Sequence, residues 1–353
     1  MNPRHLHAEA SRKLGAGSAL AYGPLANIER RMLDPPAQAP TLACANAMAE
    51  LTVTGLYTYP VKSCAGVLQQ QALITPRGVA LDRDFMLVDE DDDFLSQRKV
   101  PELALIRTAI AADAVTLSAP GMPAAEIPLA LAPDDGRLVR ATVHGKPVAG
   151  QLVGEDLDDW FSAFLPAYKH HRRYRLLRVR EDLPRYIGER YRLPAASNRV
   201  GFADGSAMLL ASERSLAQLN DELDEPVPMN RFRPNIVVDG AALEPYAEDH
   251  WTELRIGALH AHVVKASDRC VTTDVNQDTA VTGKAVRRAL TTRKGVNAYD
   301  ESNKGVFFAQ NLNHVYTPGV SIGVGDAVQV LARSAQPNVH LAARSRGAVP
   351  SAR

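Results

Sequence analysis

The sequence predicts a β-rich α+β fold. Short apolar runs parted by turn residues fill the stretch from Leu51 to Val153, and amphipathic helix patterns stand among later strands. No repeat of fixed period is present. A chain of 353 residues is expected to form two domains, each large enough to bury a core. Hydrophobic residues make up 46% and charged residues 23%, which excludes both a disordered chain and a membrane bundle.

Residues 1–47 differ from the rest. They hold Pro35, Pro36, Pro40 and the pair Arg30-Arg31, with no apolar core of signal-peptide type. A basic, acid-poor stretch faintly resembles a transit peptide, but its charge excess is small. The expectation is a disordered extension over 1–47, with Met48 as the natural start. Leu51 to Tyr59 then reads as a strand that Pro60 stops. Three hairpins are expected next. Phe85 to Val88 returns through the acidic turn Asp89 to Asp93 into Phe94-Leu95. Leu103 to Ile110 pairs with Val115 to Leu117. Leu138 to Val143 pairs with Val148 to Val153 across His144-Gly145-Lys146. Such a series suggests a barrel or a folded sheet.

A helix follows, with Leu157, Trp160, Phe161, Phe164 and Leu165 on one face and acids in its first turn. Pro166 ends it, and His170 to Arg173 reads as a solvated linker. Ser212 caps a helix expected to run to Leu223. Ile236 to Val238 is a buried-type strand. Leu254 to Ile256 and Leu259 to Val264 form a hairpin around Gly257-Ala258. Lys284 to Leu290 is a short helix, and Val320 to Val330 is strand with a turn at Gly323 to Asp326. The remainder reads as a flexible tail.

Composition removes several functions. Forty basic and forty acidic side chains give zero net charge, so the basic surplus of a general nucleic-acid binder is missing. No run of about 18 apolar residues exists, so no membrane helix is expected. Cys44, Cys64 and Cys270 are too few for a disulfide framework, which favours a reducing, cytoplasmic compartment. Three thiols also fall short of the four that a ferredoxin-type iron–sulfur cluster needs. No HExxH, CxxC, GxSxG or GxGxxG motif occurs, and the ten histidines lack zinc-type spacing.

Four groups remain that carry chemistry. Cys270 follows a strand and adjoins Arg269, a cation that favours the thiolate. Such a sulfur suits a soft or high-valent metal. A buried structural cysteine is the commoner role for an isolated thiol. Arg231-Phe232-Arg233-Pro234-Asn235 sets two guanidiniums around one aromatic, a pattern suited to a carboxylate or phosphate, or to a structural salt bridge. Tyr59-Pro60-Val61-Lys62-Ser63-Cys64 offers a lysine and a hydroxyl in a small-residue turn, with Arg83 in Asp82-Arg83-Asp84 as a second cation. Phe202-Ala203-Asp204-Gly205-Ser206 presents a Gly-Ser turn without the lysine of a nucleotide loop.

Taken in order with Ser212-Glu213, Asp268 to Thr273, Phe308 to Asn311 and Val324-Gly325-Asp326, these groups resemble the MOSC superfamily. The likeness is to its two-part form and covers about Leu51 to Leu331. Within the superfamily the chain is most similar to mitochondrial amidoxime-reducing components and bacterial YcbX-like proteins. The resemblance implies a MOSC N-terminal β-barrel-like domain over 48–168 packed on a MOSC β-barrel domain over 169–332, with peripheral helices and a flexible tail over 333–353. It implies molybdenum cofactor, a molybdenum–molybdopterin, with Cys270 as the protein ligand to the metal. Lys62, Ser63 and Arg83 match positions that hold the pterin and its phosphate. Gly205 and Ser206 fall in the other pterin loop, and Arg233 and Asn235 match the family signature beside the cofactor. Asp268 and Asn311 fall at cofactor-shell positions; they replace a serine and a tyrosine of animal members. Asp268 is also a candidate proton donor.

The implied reaction is reduction of a small N-hydroxylated substrate. YcbX-like proteins often continue into a ferredoxin domain, and this chain ends about 20 residues after the last MOSC strand. Electrons are therefore expected from an external donor protein of ferredoxin or flavin reductase type. The membrane anchor of animal members is not expected here. The alternative is a cofactor or sulfur carrier with persulfide on Cys270. The family term pyridoxal phosphate binding belongs to sulfurases with a desulfurase domain, which is not expected in this chain and which a partner could supply.

Overall fold

The computed structural model describes residues 51–130, 137–292 and 306–338. The expected extension over 1–47 and residues 339–353 of the expected tail lie outside them. The architecture is β-rich α+β, as its strand patterns predict. Its largest sheet has eight strands. In spatial order they are Val67–Gln69, Thr52–Thr58, Ile236–Asp239, Met208–Ser212, Phe307–Val315, Leu259–Asp268, Trp251–Ile256 and Val328–Arg333. Pairing is antiparallel except between Met208–Ser212 and Ile236–Asp239. The sheet curls until its last strand returns to its second. Thr52 bridges Ala327, Val53 N–H donates to Asp326 O at 2.9 Å, and Val328 N–H donates to Leu51 O at 2.7 Å. That closure pairs the exposed edges and encloses a core of Leu56, Ile74, Leu210, Trp251, Leu254 and Val263.

A second sheet runs Phe85–Val88, Arg175–Val179, Lys146–Leu152, Leu138–Val143. Helix α1 (Glu155–Phe164) covers the neighbouring core of Phe85, Leu87, Leu103 and Leu117 with Leu157, Trp160 and Phe161. Each of these large side chains contributes roughly 1.5–3 kcal/mol by leaving water. The buried acid on that face, Asp158, accepts Leu176 N–H at 2.8 Å. The two sheets cross the sequence boundary at 168/169. Thr52–Thr58 pairs with Ile236–Asp239, while Arg175–Val179 pairs with both Phe85–Val88 and Lys146–Leu152.

Local differences from the expectations have local causes. The arm expected from Leu103 begins only at Arg107, because Pro101–Leu105 forms a 3-10 turn whose first residue is a proline with φ already set. Phe85–Val88 finds its main partner in Arg175–Val179; its return arm is reduced to a Val88–Phe94 bridge and a Leu95 N–H to Leu87 O bond. Leu138–Val143 and Lys146–Leu152 do form the third hairpin, with His144 and Gly145 both at positive φ. Helix α2 (Glu213–Asn220) starts at Ser212, whose hydroxyl accepts Ser215 N–H. It stops before Leu223 because the Asn220 side-chain amide bonds both backbone groups of Val227. Helix α3 spans Ala285–Thr292.

The strand Phe307–Val315 hides from sequence reading because polar Gln310, Asn313 and His314 break its apolar run. All three are buried and bonded: Gln310 to Asp249 at 2.7 Å, Asn313 to Asn198 at 2.7 Å, and His314 to Thr75 O at 2.8 Å. The first residues of the expected tail are also tied down. Asn338 N–H donates to Asp249 O and its carbonyl accepts Ala266 N–H, both at 2.7 Å.

Candidate active site

Three separated stretches meet at one cleft of about 260 Å³. Its lining includes Lys62, Ser63 and Arg83 from the first, Asp204, Gly205, Ser206, Arg233 and Asn235 from the second, and Asp268, Arg269, Cys270 and Asn311 from the third. Every residue to which the family resemblance gave a site role lies in this lining. The sheet explains the convergence. Asp268 ends the long strand paired with Phe307–Val315, Asn311 lies within that partner, and Asn235 immediately precedes Ile236–Asp239.

The floor is a buried polar network. Asp82 Oδ2 accepts Arg83 Nη1 at 2.6 Å, while Asp82 Oδ1 accepts Tyr59 N–H at 2.9 Å and Asn235 Nδ2 at 2.8 Å. Arg83 also donates to Asn235 Oδ1 and to Arg233 O, each at 3.2 Å. The guanidiniums of Arg83 and Arg233 lie over the Tyr59 ring, 4.4 and 4.3 Å from its centroid. Two like charges on one buried ring repel. Burial, then Arg83, pushes the Arg233 pKa down to about 10, with Tyr59 opposing the shift, so Arg233 still carries its charge at neutral pH. Its Nη2 is buried without a hydrogen-bond partner.

Ser63, Arg83 and Arg233 all hold positive φ, at 72°, 51° and 55°. For residues with a Cβ this conformation costs about 1–2 kcal/mol each. The surrounding bonds impose it. Lys62 N–H donates to Phe85 O, Arg83 N–H to Tyr59 O, and Gln97 Nε2 to Ser63 O. Gly66 lets the Tyr59 ring approach, since a Cβ there would sit 2.4 Å from a ring carbon.

At the side of the cleft, Lys62 Nζ donates to Phe202 O at 2.9 Å and pairs with Asp204, which also meets His144 at 3.1 Å. Burial pushes the Lys62 pKa down and Asp204 opposes this. Burial would raise the Asp204 carboxyl, but Lys62 and His144 outweigh it and hold the group well below the usual carboxylate range. The Asp204 side chain is 65% exposed, so water screens the pair. A Cβ on Gly205 would meet nothing nearer than Lys265 Nζ at 4.0 Å, so the cleft is open there.

Cys270 is exposed at the rim, Sγ 3.3 Å from Thr272 Oγ1. Its carbonyl accepts both the N–H and the hydroxyl of Thr273, anchoring the backbone and leaving the thiol outward. The buried structural role is therefore filled by Cys64, whose thiol burial pushes up to about 12. Arg269 is half-buried and donates to Phe232 O and Ser267 Oγ; burial lowers its pKa and the Cys270 charge opposes this.

Several expected contacts take other roles. Asn235 is 1% exposed and its amide is spent on Leu209 N–H, Arg83, Tyr57 O and Asp82, so it positions the floor rather than facing a ligand. The Ser206 hydroxyl is committed to Leu312 O. Asn311 Nδ2 donates to Ala266 O at 3.4 Å, and Asp268 Oδ1 accepts Val306 N–H at 3.2 Å. Of the two guanidiniums around Phe232, Arg233 lines the cleft and Arg231 does not. Sequence reading missed Tyr59 and Asp82 as site builders, and Lys265 as a lining cation. Tyr59 and Asp82 lay inside the motifs, but nothing in the spacing distinguishes a buried support from a contact.

Among the described residues, no helix is long and apolar enough to cross a membrane. Residues 50–167 match the family of the MOSC N-terminal beta barrel domain, and residues 197–329 match the MOSC domain. The mitochondrial amidoxime-reducing component 1 of Homo sapiens is 32% identical over 288 residues, covering 79% of this chain and 83% of that protein. The mitochondrial amidoxime reducing component 2 of Bos taurus is 32% identical over 285 residues, covering 78% and 82%.

Proposed function

The chain belongs to the MOSC family in its two-domain form, and from that premise we propose that it is a molybdenum cofactor-dependent reductase of small N-hydroxylated substrates. The observation that carries this reading is the meeting of an exposed thiol with buried cations in one cleft. The donor set fits the cofactor: a sulfur for the metal, guanidinium and ammonium groups for a phosphate, and open space at Gly205. The relatives named as amidoxime-reducing components support the substrate class.

In this reading Cys270 ligates the metal as thiolate. Lys62, Arg83 and Arg233 hold the anionic end of the cofactor, with Ser63, Gly205, Ser206 and Asn311 shaping the pterin site. Asn235 and Asp82 keep Arg83 aimed. When bound, the molybdenum cofactor supplies the two-electron redox chemistry that cleaves the N–O bond. The net change takes two electrons and two protons and yields the reduced nitrogen compound and water. Electrons come from a separate redox protein. Asp268, two residues from the sulfur and in the cleft lining, is the candidate donor of a proton to the departing oxygen. The unbridged Cys64 and Cys270 suit a reducing compartment.

The test is molybdenum content per chain in protein from a host that makes the cofactor, followed by benzamidoxime reduction with an artificial reductant. About one molybdenum per chain and turnover lost in Cys270→Ala is the expected result. Cofactor bound without turnover would leave a carrier instead, and full activity in Cys270→Ala would reject the assignment.

A further inference from the structure

The long strand that delivers Asp268 to the cleft carries a second constellation nearer its other end. Along Leu259–Asp268, Leu259, Ala261 and Val263 enter the core, so His260 and His262 stand on the opposite face. The antiparallel register places Glu253 directly across from His262. His260 Nε2 lies 2.7 Å from Glu253 Oε1, and the two imidazole centroids are 4.8 Å apart. One donor atom from each of the three side chains falls within 4.8 Å of the others, and all three residues are half-buried. Three steps of strand lead from His262 to Lys265, the nearest cleft-lining residue of that strand, roughly 10 Å at about 3.3 Å per residue, and none of the cluster's three residues belongs to the cleft lining.

We propose that Glu253, His260 and His262 bind a divalent first-row transition ion of zinc's class. Two imidazole nitrogens and one carboxylate oxygen are a borderline donor set, suited to Zn²⁺ and too poor in oxygen for Ca²⁺ or Mg²⁺. The donors sit on two paired strands whose register fixes them, so little ordering is needed on binding. Three protein ligands leave a fourth position for water. Arg255, opposite His260, is exposed, and solvent screens its charge from the site. The ion ties Trp251–Ile256 to the strand whose far end enters the cleft. A second triplet, Asp91, His170 and His171, also brings its donors together, but Asp91 and His170 are exposed. It serves as the internal rival.

The test is Zn²⁺ titration of the full chain without a polyhistidine tag, against a chromophoric chelator, in a Cys270→Ser variant that removes the rim thiol as a competitor. One saturable Zn²⁺ site is expected, and His262→Ala weakens it by about 100-fold or more. His260→Gln/His262→Gln keeps polar side chains of similar bulk on the strand and abolishes that site, with circular dichroism unchanged. X-ray absorption of the bound zinc shows two imidazole ligands. Undiminished binding in the double variant, or no saturable site before mutation, overturns the proposal. Loss of the site in His170→Ala/His171→Ala instead assigns the ion to the rival triplet and also overturns it.

Discussion

The floor and the rim of the cleft are built on opposite terms. Tyr59, Asp82, Arg233 and Asn235 are buried and Arg83 half-buried, all joined in one network, and two of the five hold left-handed backbone. Cys270 and Asp204 stand at the surface with few partners. The molecule thus invests its order in fixing positive charge, and leaves the reacting sulfur free to meet what arrives. A charge that must be aimed needs a network, whereas a ligand atom needs an anchored backbone and open space.

This contrast predicts that rim variants lose activity without losing the fold, whereas floor variants lose stability along with their hold on the cofactor. Cys270→Ala should lower turnover of the loaded protein by about 10³-fold or more, as expected for a group that touches the reacting centre. Its stability should change by less than about 0.5 kcal/mol, because the side chain is exposed. Steady-state kinetics and thermal melts of one preparation check both halves.

Arg83→Met reads the floor. It leaves the buried Asp82 carboxylate without its cation, an effect of about 3–5 kcal/mol in denaturant unfolding. Asn235→Ala strands the Leu209 N–H, the Tyr57 carbonyl and one Asp82 bond, and should destabilise by about 2–3 kcal/mol. A neutral result for either would mean that the floor is not a single network.

The two described cysteines extend the same comparison. Burial pushes the Cys64 thiol up to about 12, so little of it is thiolate at pH 8. Iodoacetamide at pH 8 should label Cys270 and spare Cys64, read by peptide mass spectrometry.

The smallest effect belongs to Asp204→Asn. Removing the exposed carboxylate should leave Lys62 less basic and make the cleft more positive, tightening inorganic phosphate severalfold at low salt and less at high salt. The Asp204 pKa is depressed in the folded state. Its stabilising share is therefore present above the unfolded value near 3.8 and is lost as pH falls through the lower folded value. Below that, wild type and variant should melt alike. Above it they should differ by less than about 1 kcal/mol, because solvent screens the pair.

Much of the fold was open to sequence reading where period and punctuation agree. The α1 stripe, the Ser212 cap and the hairpin at His144-Gly145 are local signals with local causes. Phe307–Val315 was not, because its polar residues are satisfied by Asp249, Asn198 and Thr75, partners that sequence distance conceals. The site residues were legible as a set, since motifs in a fixed order resemble the family, but their division of labour was not. Asn235 and Asp82 lie within the motifs as plainly as Lys62, and only the hydrogen bonds they spend within the floor mark them as supports.

From the amino acids alone came the strand-rich class, the helix faces, the thiol at 270 and the cations at 62, 83 and 233, because side-chain period and residue type are local properties. Which cysteine is exposed, which guanidinium enters the cleft and which amide is spent behind it were settled by long-range pairing. Those outcomes depend on strands far apart in the chain becoming neighbours, and burial, hydrogen-bond satisfaction and charge repulsion exist only once they have met.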